Sequence, residues 1–455
     1  MDFSEKNMEA VYDVSTLGVS KTLILGVQHL FAMFGATVLV PALTGLNVSA
    51  TLLFAGLGTL LFHLVTGRKV PAFLGSSFAF LGGYAAIAPM IDGTPNTVML
   101  PYACFGVFTA GMVYLVLAGM FKVFGANKVM RFFPPIVTGP IIICIGLSLA
   151  GSAIGNCRTN WLVAIVAIVV VVVCNIWGKG MVKIVPILLG VVASYVFALI
   201  VDPAARANVA QAVSDAKWIG LPVVWENTVF SLLSGPFDGG MLLTSVVTIA
   251  PIALAAIVEH VGDMCAISST VGKNFVADPG LHRTLTGDGI ATAVASLFGA
   301  PANTTYGENT GVLALSKVYD PKVVRLAAVF AMILSFSPKF AALIVAMPAA
   351  TMGGVSLVLY GMISAVGVRN VVENQVDFTK SRNVLIAAMI LGLAVGISYN
   401  GAVVMTLGSV TLSMSGLAIA ALVGIILNAI LPGMDYEFGA NEKGDTAVNF
   451  GTRND

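Results

Sequence analysis

Apolar stretches of roughly 17–25 residues, each long enough to cross a bilayer core, follow one another along most of the chain. Short polar breaks separate them and hold most of the charge. Fourteen such segments are drawn, at 20–41, 50–67, 71–91, 99–121, 130–152, 160–178, 183–201, 240–264, 284–300, 303–317, 322–338, 340–364, 384–399 and 410–431. The pattern predicts an all-α polytopic membrane protein with 14 transmembrane spans. The first 20 residues are polar and lack the apolar core of a signal peptide, so the N-terminus is expected to stay on the side of synthesis.

Lysine and arginine set the orientation, because cytoplasmic loops collect them. With the N-terminus inside, only Arg158, Arg206, Lys217 and Lys339 of the 23 fall outside. A miscount of one helix would scramble that bias, so both termini are expected in the cytoplasm. The longest break, 202–239, divides the spans into two groups of seven. Because seven is odd, the second group starts in the opposite orientation, which is the arithmetic of an inverted repeat and the common plan of secondary transporters.

If the halves correspond, the third span matches the tenth. The third opens "PAFLGSSFAFLGG" at 71 and the tenth "PANTTYGENTGV" at 301. Proline cannot donate a backbone hydrogen bond, and glycine weakens a helix interior. Non-helical backbone at membrane depth survives only where protein buries it or where it lines a cavity. Short Gly/Pro-interrupted spans at matching positions therefore point to a binding site near the membrane midplane.

With 10% charged residues, against about 25% in soluble domains, every carboxylate inside a span is an exception. Four exist: Glu259 and Asp263 in the eighth, Asp288 at the start of the ninth and Glu308 in the tenth. An intramembrane carboxylate is a functional candidate by default. Glu259 and Asp263 are four residues apart and face the same way on a helix. Two like charges in an apolar setting favour holding and releasing a proton, which proton-coupled transport needs. Asp288, ahead of an apolar run, reads as a helix cap. His260 points about 100° away from Glu259 and is not paired with it. His29, beside Gln28 in the first span, reads as structural support between helices.

The five cysteines lack metal or disulfide spacing and read as small core residues. HExxH, GxSxG and Walker motifs are absent, so no enzyme, cofactor or metal is indicated. An intramembrane enzyme or a passive channel remains only a remote alternative. A net charge of +1 gives no footprint for nucleic acid.

Taken together, "QHLFAMFGATVLVP" (28–41), "PAFLGSSFAF" (71–80), "EHVGD" (259–263), "PANTTYGENTGV" (301–312) and "MGGVSLVLYG" (352–361) resemble the nucleobase–ascorbate transporter family, and its bacterial uracil carriers most of all. The resemblance implies a 7+7 inverted repeat in which spans 3 and 10 are interrupted by short antiparallel β-strands. It implies a cytoplasmic N-tail (1–19), a core domain (20–125 and 240–338), a gate domain (126–201 and 339–432), a connection outside (202–239) and a cytoplasmic C-tail (433–455). It further implies a multi-pass homodimer in the cytoplasmic membrane that symports uracil with protons by moving core against gate. Glu259 and Glu308 match the carboxylates that grip the base. Phe78 and Gly307 match backbone donors, and Ala36, Tyr306 and Tyr360 match pocket positions. Proton coupling falls to Glu259 and Asp263, with His29, Ser77, Asn309 and Ser356 in support. Two positions divide the substrate: Glu308 is as in uracil carriers, whereas Asp263 stands where xanthine and urate carriers have Asp and uracil carriers His. Ser316 replaces the Thr of the family signature.

Overall fold

The computed structural model describes residues 10–91, 94–234, 237–407 and 410–436. The first half runs through α1 (Val19–Thr44), α2 (Val48–Val65), β1 (Leu74–Ser76), α3 (Leu81–Ile87), α4 (Leu100–Phe124), α5 (Pro135–Cys157), α6 (Trp161–Trp177) and α7 (Pro186–Val201). In the connection, α8 (Pro203–Asp215) bends 113° from α7. The Asp202 side chain caps it by accepting the Ala204 and Ala205 N–H groups, and Pro203 occupies a first-turn position that needs no donor. The second half contains α9 (Gly239–Ile249), α10 (Ile252–Val271), α11 (Leu281–Leu297), β2 (Asn303–Thr305), α12 (Gly307–Ser316), α13 (Pro321–Ser335), α14 (Pro338–Val345), α15 (Ala349–Glu373), α16 (Ser381–Asn400), β3 (Val403–Leu407), β4 (Val410–Met414) and α17 (Gly416–Ile430).

Among the described residues, seven helices are long and apolar enough to span a membrane, α9 and α10 counting as one, and nine if the bent pairs α7–α8 and α13–α14 are each one span. Shorter apolar helices and the two interrupted segments account for the third, sixth, tenth and fourteenth predicted spans, and the ninth is α11, 17 residues long and more polar than these. Two predictions shift. The twelfth span, expected at 340–364, is split. α14 turns 88° from α13, and Pro348, which lacks an N–H, stands just outside α15, which then runs on to Glu373. The fourteenth, expected at 410–431, is helical only from Gly416. Val, Thr and Met residues ahead of it pair as the β3–β4 hairpin, where β-branched side chains fit a pleated surface better than a helix.

The helices interleave across the halves. α2 packs on α11 and α13, α4 on α11, and α1 on α13. α5 packs on α15 and α16, α6 on α7 and α15, and α16 on α17. Small residues allow the close approach that membrane helices use in place of a hydrophobic drive. At Gly146 of α5, a Cβ would lie 2.1 Å from the Tyr360 carbonyl of α15.

β1 and β2 pair antiparallel, Leu74 opposite Thr305 and Ser76 opposite Asn303, with every residue buried. A two-stranded ribbon has two open edges, and in a membrane an unpaired edge is costly. Each edge meets one threonine. Thr59 of α2 accepts the Leu74 N–H (2.9 Å) and faces the Leu74 carbonyl (3.3 Å). Thr292 of α11 accepts the Asn303 N–H (3.2 Å) and donates to the Asn303 carbonyl (3.0 Å). The same device on the second and ninth spans is what an inverted repeat produces.

Candidate functional site

The interrupted spans place their irregular backbone at the end of a cavity of about 450 Å³, within the roughly 300–1,000 Å³ typical of small-molecule sites. Its inner wall is formed by Phe78, Glu259, Asp263, Tyr306, Gly307 and Glu308, and its mouth by Arg369, Asn370, Glu373, Asn374 and Tyr436. After β1 the chain enters a 3₁₀ turn at Phe78–Phe80. After β2 it enters α12 at Gly307. First-turn N–H groups have no intrahelical partner, so both segments bring donors to the cavity end. Tyr306, just before α12, is held by its own hydroxyl, which donates to the Ser76 carbonyl (2.9 Å) and lies 3.3 Å from Thr37 Oγ1. The ring covers Gly75, where a Cβ would come within 2.4 Å of it.

α10 supplies Glu259 and Asp263 on one face, one turn apart, as their spacing predicts. Both are half-buried against the cavity. Among the described residues, Glu259 Oε2 is buried without a protein partner. Asp263 Oδ2 accepts the Thr305 hydroxyl (2.7 Å), and Oδ1 lies 3.9 Å from where a Gly307 Cβ would stand. Glu308, in the first turn of α12, is half-buried and lines the same space. The structure thus brings the three carboxylates, Phe78, Tyr306 and Gly307 to one cavity.

The remaining candidates sit behind this wall. Ala36 and Tyr360 are buried in the apolar cluster that also holds Phe78 and Tyr306, and the Tyr360 ring meets Phe78 edge-on at 5.9 Å. Ser77 is buried, its N–H donating to the Ala302 carbonyl (2.8 Å). Ser356 is buried on α15. Asn309 Nδ2 donates to the His29 carbonyl (3.0 Å) and lies 3.1 Å from His29 Nδ1, tying α12 to α1. Of the cysteines, Cys104, Cys144 and Cys157 are buried, but Cys174 and Cys265 are only partly so, and Cys265 lines the cavity.

Asp288 is not a helix cap. α11 begins at Leu281, so Asp288 lies about two turns inside it, fully buried, with Oδ2 2.9 Å from Nδ1 of an equally buried His260. The capping reading of Asp288 is replaced by a contact between α10 and α11, and His260, turned away from Glu259 as its position on the helix predicts, faces Asp288. The signal was available as an acid and an imidazole in neighbouring apolar spans, but the periodicity of a single helix does not reveal a partner on another.

A polytopic membrane protein with inverted halves, whose broken spans deliver backbone donors and carboxylates to one cavity, belongs to the class of secondary transporters. Residues 20–403 match the model of the Permease family. The uracil permease of Bacillus caldolyticus is 41% identical, over 91% of this chain and 93% of its own length. The uracil permease of Escherichia coli (strain K12) is 38% identical, over 90% and 91%. Among solved structures, the transmembrane domain of the cyanobacterial bicarbonate transporter BicA matches with a TM-score of 0.58 at 14% identity, covering 93% of this chain and 100% of that one. Murine Solute Carrier 26 family member A9, in the inward-facing state, matches with a TM-score of 0.59 at 10% identity, covering 94% and 69%. At such identities the likeness to the two structures is one of fold. The chain belongs to the nucleobase–ascorbate transporter family of permeases and is a transporter, not an enzyme.

Proposed function

We propose that this protein imports uracil across the cytoplasmic membrane together with protons. The observation that carries the reading is the convergence of Glu259, with its unpartnered buried oxygen, and Glu308 on a cavity where two interrupted spans begin. Uracil presents two N–H donors and two carbonyl acceptors on a neutral ring. Carboxyl groups accept from the donors, while the N–H groups around Phe78 and Gly307 meet the carbonyls. The names of the relatives, uracil permeases, support that substrate. Glu259 is the proposed proton carrier, because a carboxyl in an apolar wall with no fixed cation beside it gains most from binding a proton.

In this reading 20–125 and 240–338 form the core that holds the base, and 126–201 and 339–432 form the gate against which it moves, in a homodimer. The lysine and arginine bias supports cytoplasmic termini. The cavity mouth at Arg369 and Glu373 then faces the cytoplasm. A specific observation favours a second substrate class, a purine such as xanthine or urate: the cavity wall carries Asp263, as in xanthine and urate carriers, where uracil carriers have His. One uptake assay in proteoliposomes tests the substrate and the coupling. Labelled uracil accumulates, unlabelled uracil competes better than xanthine or urate, an uncoupler abolishes accumulation and replacing sodium by potassium does not. Sodium dependence that ignores the uncoupler overturns the coupling, and stronger competition by xanthine or urate overturns the substrate.

A further inference from the structure

Residues 11–14 lie far from the cavity in sequence and take no part in the proposed chemistry, yet they join the two helices that carry its carboxylates. The Val11 N–H donates to the Lys317 carbonyl (2.9 Å), and the Val11 carbonyl accepts the Tyr319 N–H (2.8 Å), forming a single parallel bridge. Next in sequence, the Tyr12 hydroxyl donates to the Val271 carbonyl (2.8 Å). The Tyr12 ring packs on Tyr319 at 5.5 Å, with the Lys273 ammonium 4.6 Å over its face. Asp13 faces Lys322 at 3.2 Å. The Val14 N–H reaches buried Asp320 Oδ2 (2.9 Å), while Oδ1 of the same carboxylate caps α13 at the Lys322 N–H (2.9 Å). Val14, Val318 and Val323 close a small apolar cluster beneath.

Val271 is the last residue of α10, and Lys317, in the left-handed region (φ 51), is the C-cap of α12. α12 has 10 residues and so is about 15 Å long. A helix that short does not hold itself together in isolation. Its direction is set by α10 and α1 beside it, the latter through Asn309 and His29, and by its two ends: β2 and the cavity at one, and the Val11–Tyr12 contacts at the other. Tilting it at the clasped end moves Glu308, in its first turn, relative to Glu259.

We propose that residues 11–14 are a positioning clasp that fixes α12 against α10 and so sets the spacing of Glu308 from Glu259, with Tyr12 and Val11 as its ties. The inference rests on the nucleobase site proposed above. Tyr12→Phe removes one hydrogen bond and keeps the ring, and Val11→Pro removes the donor to Lys317. In full-length protein reconstituted in proteoliposomes, each variant raises the KM for uracil by about two- to tenfold, the range for one lost hydrogen bond, while Vmax per inserted molecule is unchanged. A lower yield of inserted protein with an unaltered KM, the result for a merely structural tether, overturns the proposal. Hydrogen exchange on the purified full chain decides it without any substrate. Both variants speed exchange over 307–312, at the end of α12 remote from the substitutions, and a change confined to 10–20 overturns the clasp. A wild type that ignores uracil defeats the functional reading alone, and the exchange measurement still judges the clasp.

Discussion

Glu308 is half-buried in the first turn of α12, where a carboxylate is favoured by the partial positive charge of the helix start and where it can accept from a ring N–H. Glu308→Gln keeps the size and a hydrogen-bonding oxygen but adds donors where the site wants an acceptor. The expected loss is about 1–3 kcal/mol, or roughly five- to 150-fold in uracil affinity, with insertion unchanged. Binding isotherms on purified wild type and variant check it, and unaltered affinity removes Glu308 from the contact set. At this scale the sequence was informative where chemistry was rare. The cost of a carboxylate in an apolar chain singles out four residues, and three of them, Glu259, Asp263 and Glu308, line one cavity. It was uninformative where a partner lies on another helix. Neither the His260–Asp288 contact nor the Thr305 hydroxyl on Asp263 leaves any trace in the spacing of either residue. Asp288 was misread because α11 starts earlier than its hydropathy suggests. "LHRT" is polar enough to pass for a loop, yet it is the first turn of the helix.

The β1–β2 ribbon shows the same division between elements. Pro-Ala followed by a polar string announced both interruptions, since such strings suit neither a lipid-facing helix nor an ordinary kink. The caps on the ribbon's edges were not legible, because Thr59 and Thr292 sit in apolar spans where a threonine usually back-bonds to its own helix. Thr59 does both, donating to the Ala55 carbonyl (2.8 Å) as well as meeting Leu74. Thr59→Val and Thr292→Val keep the shape and delete the hydroxyl, leaving a buried strand N–H without an acceptor. Each is expected to cost about 1–3 kcal/mol. The result is a lowered midpoint of thermal unfolding in detergent for both single variants. If either variant unfolds at the wild-type temperature, that edge is satisfied in another way. The β3–β4 hairpin escaped the sequence reading for a different reason: "VVMTL" and "VTLSM" are apolar enough to extend a neighbouring helix in any hydropathy window, and only pairing distinguishes them.

At the scale of the molecule, the proposed movement of a core against a gate requires contacts between the two to change. One such contact is narrow enough to test. In the proposed division α1 belongs to the core and α7 to the gate, and at Gly35 of α1 a Cβ would lie 3.4 Å from Ile187 Cβ. Disulfides need Cβ atoms about 3.5–4.5 Å apart, so Gly35→Cys with Ile187→Cys places two thiols at bonding range with little adjustment of the backbone. Oxidising the pair locks core and gate in the arrangement described, with the cavity open at the Arg369 end. Uptake is expected to stop on oxidation and return on reduction, while the Ile187→Cys single variant transports under both conditions. Binding of uracil to the purified, oxidised protein should persist, because the cavity wall at Glu259 and Glu308 lies outside the cross-link. A fully cross-linked protein that still accumulates uracil would show that α1 and α7 travel together, and the division into a moving core and a gate would have to be redrawn between other helices.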